Sequence, residues 1–162
     1  MVPYKPEQLW ATDNTYLATR AGNTYLSSIT DAYSRKIIGY HLDDTMKKQV
    51  VKSAFLKALK KRPYEGELIH HSHRGIQYCS EEYQSIHRKY HVACSMTDGY
   101  DCYQSALARR VSGIPKMEYL LTTPNNLNEA EKIVAESVKL SVEQRPHIAL
   151  KYKTPDKVHR AL

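Results

Sequence analysis

The sequence predicts an α/β fold in which a mixed five-stranded sheet carries helices on its faces. Two observations lead to this. Five short stretches rich in Thr, Tyr, Val, Ile and Leu are bounded by turn residues, and longer stretches place apolar residues at the 3.6 spacing of a helix. Their order is three strands, a helix, a strand, a helix, a strand and then helices, which suits one layered sheet rather than a bundle or a sandwich. A chain of 162 residues is long enough to bury a sizeable core as a single domain over 1–162, with a C-terminal helix and tail from about 127.

The elements follow in order. Leu9 to Leu17 and Thr24 to Asp31 read as strands joined by Arg20-Ala21-Gly22-Asn23, a hairpin turn. Lys36 to Leu42 reads as the third strand. After Asp44 or Thr45, either suited to an N-cap, Met46 to Arg62 carries Val51, Phe55, Ala58 and Leu59 at helical spacing with lysines opposite, and should end before Pro63. Glu67 to His71 reads as a short strand, Ser80 to Lys89 as a helix capped by Ser80, and His91 to Met96 as the last strand. Two further helices are expected near Gln104 to Leu120 and Asn128 to Glu143. No repeat or low-complexity tract interrupts the chain.

Composition narrows the class. Hydrophobic residues make up 41% and charged residues 25%, ordinary for a globular protein. No run of about 18 apolar residues and no signal sequence is present, so a cytoplasmic location without a membrane partner is expected. Cys79, Cys94 and Cys102 form an odd set without a C-x-x-C pair, which argues against a disulfide framework or zinc knuckle and for reduced, structural cysteines. A net charge of +7 and a pI near 9.2 point toward a polyanionic partner, because clustered Lys and Arg gain affinity by releasing counterions from phosphates.

Several segments carry a family resemblance. Thr12-Asp13-Asn14-Thr15-Tyr16, His70-His71-Ser72-His73-Arg74-Gly75 and Ala106-Leu107-Ala108-Arg109-Arg110-Val111 resemble, in order, the three active-site segments of the D-D-E transposases and integrases. The likeness is in particular to bacterial insertion-sequence transposases with a retroviral-integrase-type core. Gln8-Leu9-Trp10-Ala11-Thr12-Asp13 looks like the opening strand of that family, and Asp31-Ala32-Tyr33-Ser34-Arg35-Lys36-Ile37-Ile38-Gly39 like its D-x-x-S-R-x-I-x-G segment. Arg145-Pro146-His147-Ile148-Ala149-Leu150 and Tyr152-Lys153-Thr154-Pro155 resemble its R-P-H-x-x-L and Y-x-T-P tail. The resemblance implies a ribonuclease-H-like fold with helices on both faces of the sheet. It also implies that the family's helix-turn-helix region, which lies upstream of the core, is absent here, so sequence-specific DNA binding by this chain alone is not expected.

The positions that match the family's Asp, Asp and Glu read Asp13, His73 and Arg109, and 35 residues separate the last two, as in the D-D-35-E pattern. Register survives while chemistry changes. Family members use Mg²⁺ or Mn²⁺ held by carboxylates to activate the attacking oxygen and stabilise the leaving one. Asp13 supplies one carboxylate, His73 offers an imidazole better suited to softer metals, and Arg109 has no acceptor at all. No cofactor is therefore expected, with Asp13 the sole candidate metal ligand. Arg109 either takes the place of the metal as an ion pair with Asp13 or points to solvent. His70, His71 and His73 read as hydrogen-bonded residues at a strand end in preference to a zinc site.

Other departures cluster nearby. Gln104-Ser105 and Ser141-Val142 stand where the family has acidic-Asn and Tyr-Asn pairs, and Pro115 falls inside the helix expected to carry Arg109. For DNA contacts the candidates are Arg74, Gln77 and Tyr78, after the second active-site position, and Lys116, one helix face along from Arg109. The expected function is a transposase or integrase core homologue that is catalytically inactive and binds DNA weakly and nonspecifically, alone, as a homo-oligomer or beside an active transposase. The alternatives are an active strand-transfer enzyme with an altered triad and a protein-interaction domain without a nucleic-acid ligand.

Overall fold

The computed structural model describes residues 3–44, 48–63, 66–73, 81–97, 123–144, 146 and 150–161. Strands β1 (Leu9–Thr19), β2 (Gly22–Asp31) and β3 (Ile37–Asp43) form an antiparallel meander. Helix α1 (Lys48–Lys61) leads to β4 (Leu68–His73), α2 (Glu81–Lys89) and β5 (Val92–Thr97). Helices α3 (Leu127–Glu143) and α4 (Pro155–Arg160) follow. The sheet order is β3-β2-β1-β4-β5, with β4 parallel to both β1 and β5. Parallel neighbours require crossover connections, and α2 supplies the one between β4 and β5.

The meander begins with a tighter turn than the sequence suggested. Thr19 pairs with Gly22, so the loop is Arg20-Ala21 alone and Gly22-Asn23 already belong to β2. Gly22 sits at φ +134°, a value side-chain-bearing residues rarely adopt, and the Thr19 hydroxyl donates to its carbonyl at 2.7 Å.

Strand alternation sends two apolar sets to opposite faces. One set, Trp10, Ile29 and Ile38, packs under Val51, Ala54, Phe55 and Ala58 of α1 and Tyr83 and Ile86 of α2. The other, Leu17, Leu26, Ile37 and Leu42, packs against Ala130, Val134, Val138 and Val142 of α3. Helices thus cover both faces, as expected. Gly39 permits the close approach of α1: a Cβ there would lie 2.8 Å from the Ala54 carbonyl oxygen and from the Ala58 Cβ.

Helix ends obey local rules. Asn126 caps α3 by accepting from the Glu129 amide at 3.0 Å, one residue earlier than the apolar pattern placed the start. The short α4 went unread in the sequence although Thr154 at its N-cap and Pro155 in its first turn are regular start signals. Thr45, Met46 and Ser80, and the helix expected over Gln104 to Leu120, lie outside the described residues. So do Cys79 and Cys102; Cys94 is exposed on β5.

Candidate functional site

Asp13 lies in the middle of β1, half-buried, opposite Ser28 of β2. On its other side β1 pairs in parallel with β4 through Leu9–Ile69, Trp10–His70 and Ala11–His71. Position 73 is the last residue of β4, two residues beyond the final pair, as Asp13 is two residues beyond it on β1. By alternation, 11, 13 and 71 share the face on which α3 packs, while 10, 12 and 70 face α1. Two of the three triad positions are therefore brought to adjacent strands. Arg109 lies outside the described residues, as do Arg74, Gln77, Tyr78, Lys116 and Pro115, so the pairing of Asp13 with Arg109 has no described geometry.

The floor beneath Asp13 is built from residues whose role the sequence did not reveal. Thr12 hydrogen-bonds to Nε2 of His70 across the β1–β4 boundary. Nδ1 of His70 lies 3.0 Å from Nε2 of His87, and Nδ1 of His87 donates to the Tyr83 carbonyl at 2.9 Å. One proton arrangement satisfies the whole chain: the Thr12 hydroxyl donates to His70, His70 donates to His87, and His87 donates to the backbone. Both rings are then neutral. Burial, together with the neighbouring His87 and His71, holds the His70 pKa well below its usual value, and burial lowers that of His87 against its bond to the Tyr83 carbonyl. The imidazoles stack on Phe55, with centroids 4.5 Å away for His70 and 4.7 Å for His87. His70 is thus a structural residue, and among the described residues no group of three His, Cys, Asp or Glu side chains is placed to hold a metal ion. The i, i+4 spacing of Tyr83 and His87 on α2 was the available signal, but nothing in it named His70 as their partner.

A second buried polar cluster anchors the opening of β1. Asp31 accepts from the Glu7 amide at 2.9 Å and from the Ser34 amide and hydroxyl at 2.9 and 2.6 Å, which accounts for Asp and Ser in the D-x-x-S-R segment. Glu7 accepts from the Trp10 indole at 3.0 Å. His159 of α4 inserts between them, with Nε2 2.8 Å from Glu7 and Nδ1 2.9 Å from the Ser34 hydroxyl. Burial opposes its charge, but the carboxylates of Asp31 and Glu7 outweigh that and raise its pKa to about 9. Lys36 reinforces the joint through Asp156 at 3.2 Å.

Comparison with known proteins agrees with this architecture. The profile of the integrase core domain family matches residues 3–102, and a second integrase core profile matches 90–155. The chain is 35% identical over 150 residues to a 31 kDa protein of insertion element IS600 from Shigella sonnei, covering 91% of this chain and 55% of that protein. It is 30% identical over 152 residues to the transposase of IS904 from Lactococcus lactis, covering 93% and 60%. With transposase InsF of IS3A from Escherichia coli it shares 38% over 101 residues, 62% of this chain and 35% of that protein. The chain spans about half the length of these relatives. Among solved structures, the HTLV-2 integrase catalytic core domain in complex with magnesium superposes with a TM-score of 0.79 at 21% identity, covering 97% of this chain and 99% of that one. The BIV integrase core gives 0.76 at 14%, covering 94% and 93%. At such identities the likeness is one of fold, and the fold is ribonuclease-H-like. No described helix is long and apolar enough to cross a membrane. Matched by integrase core profiles along most of its length, and similar along it to insertion-sequence proteins, this chain belongs to the integrase core domain family.

Proposed function

We propose that this chain is a transposase core that engages DNA without catalysing strand transfer. The observation that carries the reading is the donor set at the triad positions. Of the three residues at these positions, Asp13, His73 and Arg109, only Asp13 offers a carboxylate. A hard divalent ion in near-octahedral geometry requires several oxygen ligands, and an imidazole with a permanently charged guanidinium does not provide them. These residues do not fit the family's metal pair. Its in-line displacement is accordingly not expected of this chain.

DNA binding is supported by the family and by the net charge of +7. Binding of this kind rests on phosphate neutralisation, so it is weak, indifferent to sequence and lost steeply as salt rises. Association with further copies of the chain, or with an active transposase, belongs to the same reading. The test is a titration of a labelled duplex with and without Mg²⁺ or Mn²⁺. The expected result is salt-sensitive binding and no cleavage in either metal. Metal-dependent cleavage abolished by Asp13→Ala would return the protein to the active enzymes, and no binding even at low salt would leave a protein-interaction domain.

A further inference from the structure

Apolar packing seats the three longer helices, and α4 is held differently. Pro155 and His159 are its buried residues, and among the described residues none of its side chains joins the apolar clusters that seat α1, α2 and α3. Cavities flank it instead. By helical phase Lys153, Lys157 and Ala161 lie on one side, where they border a cavity of about 340 Å³ against Pro6 and Tyr33. His159 and Arg160 turn to the other side and border a second cavity, of about 330 Å³, against Ile37, Ile38 and Ala58. A helix of six residues is also shorter than the 12–15 or so at which a helix begins to sustain itself in water, so α4 depends on what it touches.

What it touches is charge. The His159 ring enters between Glu7, from the segment before β1, and Asp31, at the end of β2, with Nε2 2.8 Å from Glu7 and Nδ1 3.5 Å from Asp31 and 2.9 Å from the Ser34 hydroxyl. Asp156 adds a tie to Lys36 at 3.2 Å. The remaining charged groups around this joint are Arg62, 3.7 Å from Glu7, and Lys61 and Arg160 on the second cavity. Both carboxylates have partners besides the helix: Glu7 has the Trp10 indole and Arg62, and Asp31 has the Glu7 amide and the amide and hydroxyl of Ser34. With α4 lifted, water reaches them as well, so the seat survives the loss of its occupant.

We propose that α4 is a detachable strap, closed by His159 on Glu7 and Asp31, which fastens the segment entering β1 and opens without unfolding the sheet. Charge sets the closure. Docked, His159 has its pKa raised to about 9, whereas in water it titrates near 6.5, so closure is firmest below 6.5 and is lost progressively as pH rises through about 9. The strap stands at the start of β1, away from Asp13, and does not depend on the DNA reading.

The test is cleavage of the native protein by trypsin, with fragments identified by mass spectrometry. Lys157 and Lys139 are both exposed, so cleavage after Lys157 reports opening of α4 and cleavage after Lys139 opening of α3. His159→Gln should speed cleavage after Lys157 on the order of tenfold at pH 7. Raising the pH of the parent from 7 to 9 should do the same, once rates are divided by those of a free peptide spanning 150–162 to remove the protease's own pH response. Val134→Ala, in the core beneath α3, should speed cleavage after Lys139 on the order of tenfold and change cleavage after Lys157 less than about twofold. Equal acceleration of both sites by Val134→Ala would mean that α4 leaves only when the core unfolds, which overturns the strap. Parent-like cleavage after Lys157 in His159→Gln or, where that variant does not fold, a rate in the parent that does not change with pH overturns closure by His159 and the proposal with it.

Discussion

His159 and the pair His70 and His87 show how the same side chain is driven in opposite directions by what surrounds it. His159 is held as a cation between Glu7 and Asp31, with its pKa raised to about 9. A raised value means that its contribution is fully present below the unfolded value of about 6.5 and is lost as pH rises through 9, a difference on the order of 3 kcal/mol. Urea denaturation across this range should show stability falling toward pH 9, and a His159→Gln variant should lose that limb while being less stable at neutral pH. A flat profile in the parent would contradict the imidazolium. Removing His159 leaves the buried Asp31 without its cation while Arg62 still stands 3.7 Å from Glu7, so His159→Ala should cost about 3 kcal/mol. His70 and His87 behave oppositely, because each already spends its one donor and one acceptor in the chain from Thr12 to the Tyr83 carbonyl. Their lowered values mean that below pH 6.5 the unfolded chain takes up protons the folded one refuses, and stability declines. Histidine resonances followed by NMR should include one, His70, that stays neutral well below pH 6.5, and a second, His87, that titrates below the usual value. A His70 signal titrating at the usual value would be incompatible with the stacked arrangement.

At the scale of the element, two contacts set where helices sit. Gly39 is the point at which β3 meets α1, and the methyl group of Gly39→Ala would stand 2.8 Å from backbone and side-chain atoms of Ala54 and Ala58. The helix must shift, and the expected loss is about 1–3 kcal/mol in the urea midpoint. An unchanged midpoint would mean that α1 rides higher over the sheet than the structure places it. Helix α3 depends on its cap, and Asn126→Ala should cost about 1 kcal/mol by leaving the Glu129 amide without its acceptor. The comparison separates packing from local hydrogen bonding: the first acts through a tertiary contact, the second through the helix alone.

The whole molecule determines whether the triad positions converge. The β1–β4 ladder, running from Leu9–Ile69 to Ala11–His71, puts Asp13 and His73 on adjacent strands, and the 35-residue interval to Arg109 keeps the family's register. We therefore expect the double change His73→Asp and Arg109→Glu to assemble three carboxylates. Crowded without a cation they repel, so the thermal midpoint should fall at neutral pH, and Mg²⁺ should restore it by binding only the folded state. A folded double variant whose midpoint does not respond to Mg²⁺ would show that Arg109 does not occupy the glutamate position. Activity need not return with the metal, because a displacement of about 1 Å in a reacting group can cost on the order of 100-fold in rate.

Stretches rich in Thr, Tyr, Val, Ile and Leu between turn residues made all five strands legible, and apolar spacing with cap residues did so for α1, α2 and α3, because these preferences are local to each element. The ordered motifs determined the family, and the residue types at 13, 73 and 109 fixed the donor chemistry whatever their positions in space. Tertiary structure decided what no local pattern encodes. The Arg20-Ala21 turn was shorter than its residues suggested because pairing across the hairpin, not turn composition, sets the register. That His70 faces α1 and joins His87 and Tyr83 follows from strand parity and the crossover through α2, since residues far apart in sequence share hydrogen bonds only once the sheet is built. In the sequence His159 is one more titratable residue in a tail until the fold delivers it to Glu7 and Asp31. Its protonation is then a property of the assembled molecule, because the field that sets it comes from carboxylates that only folding brings within reach.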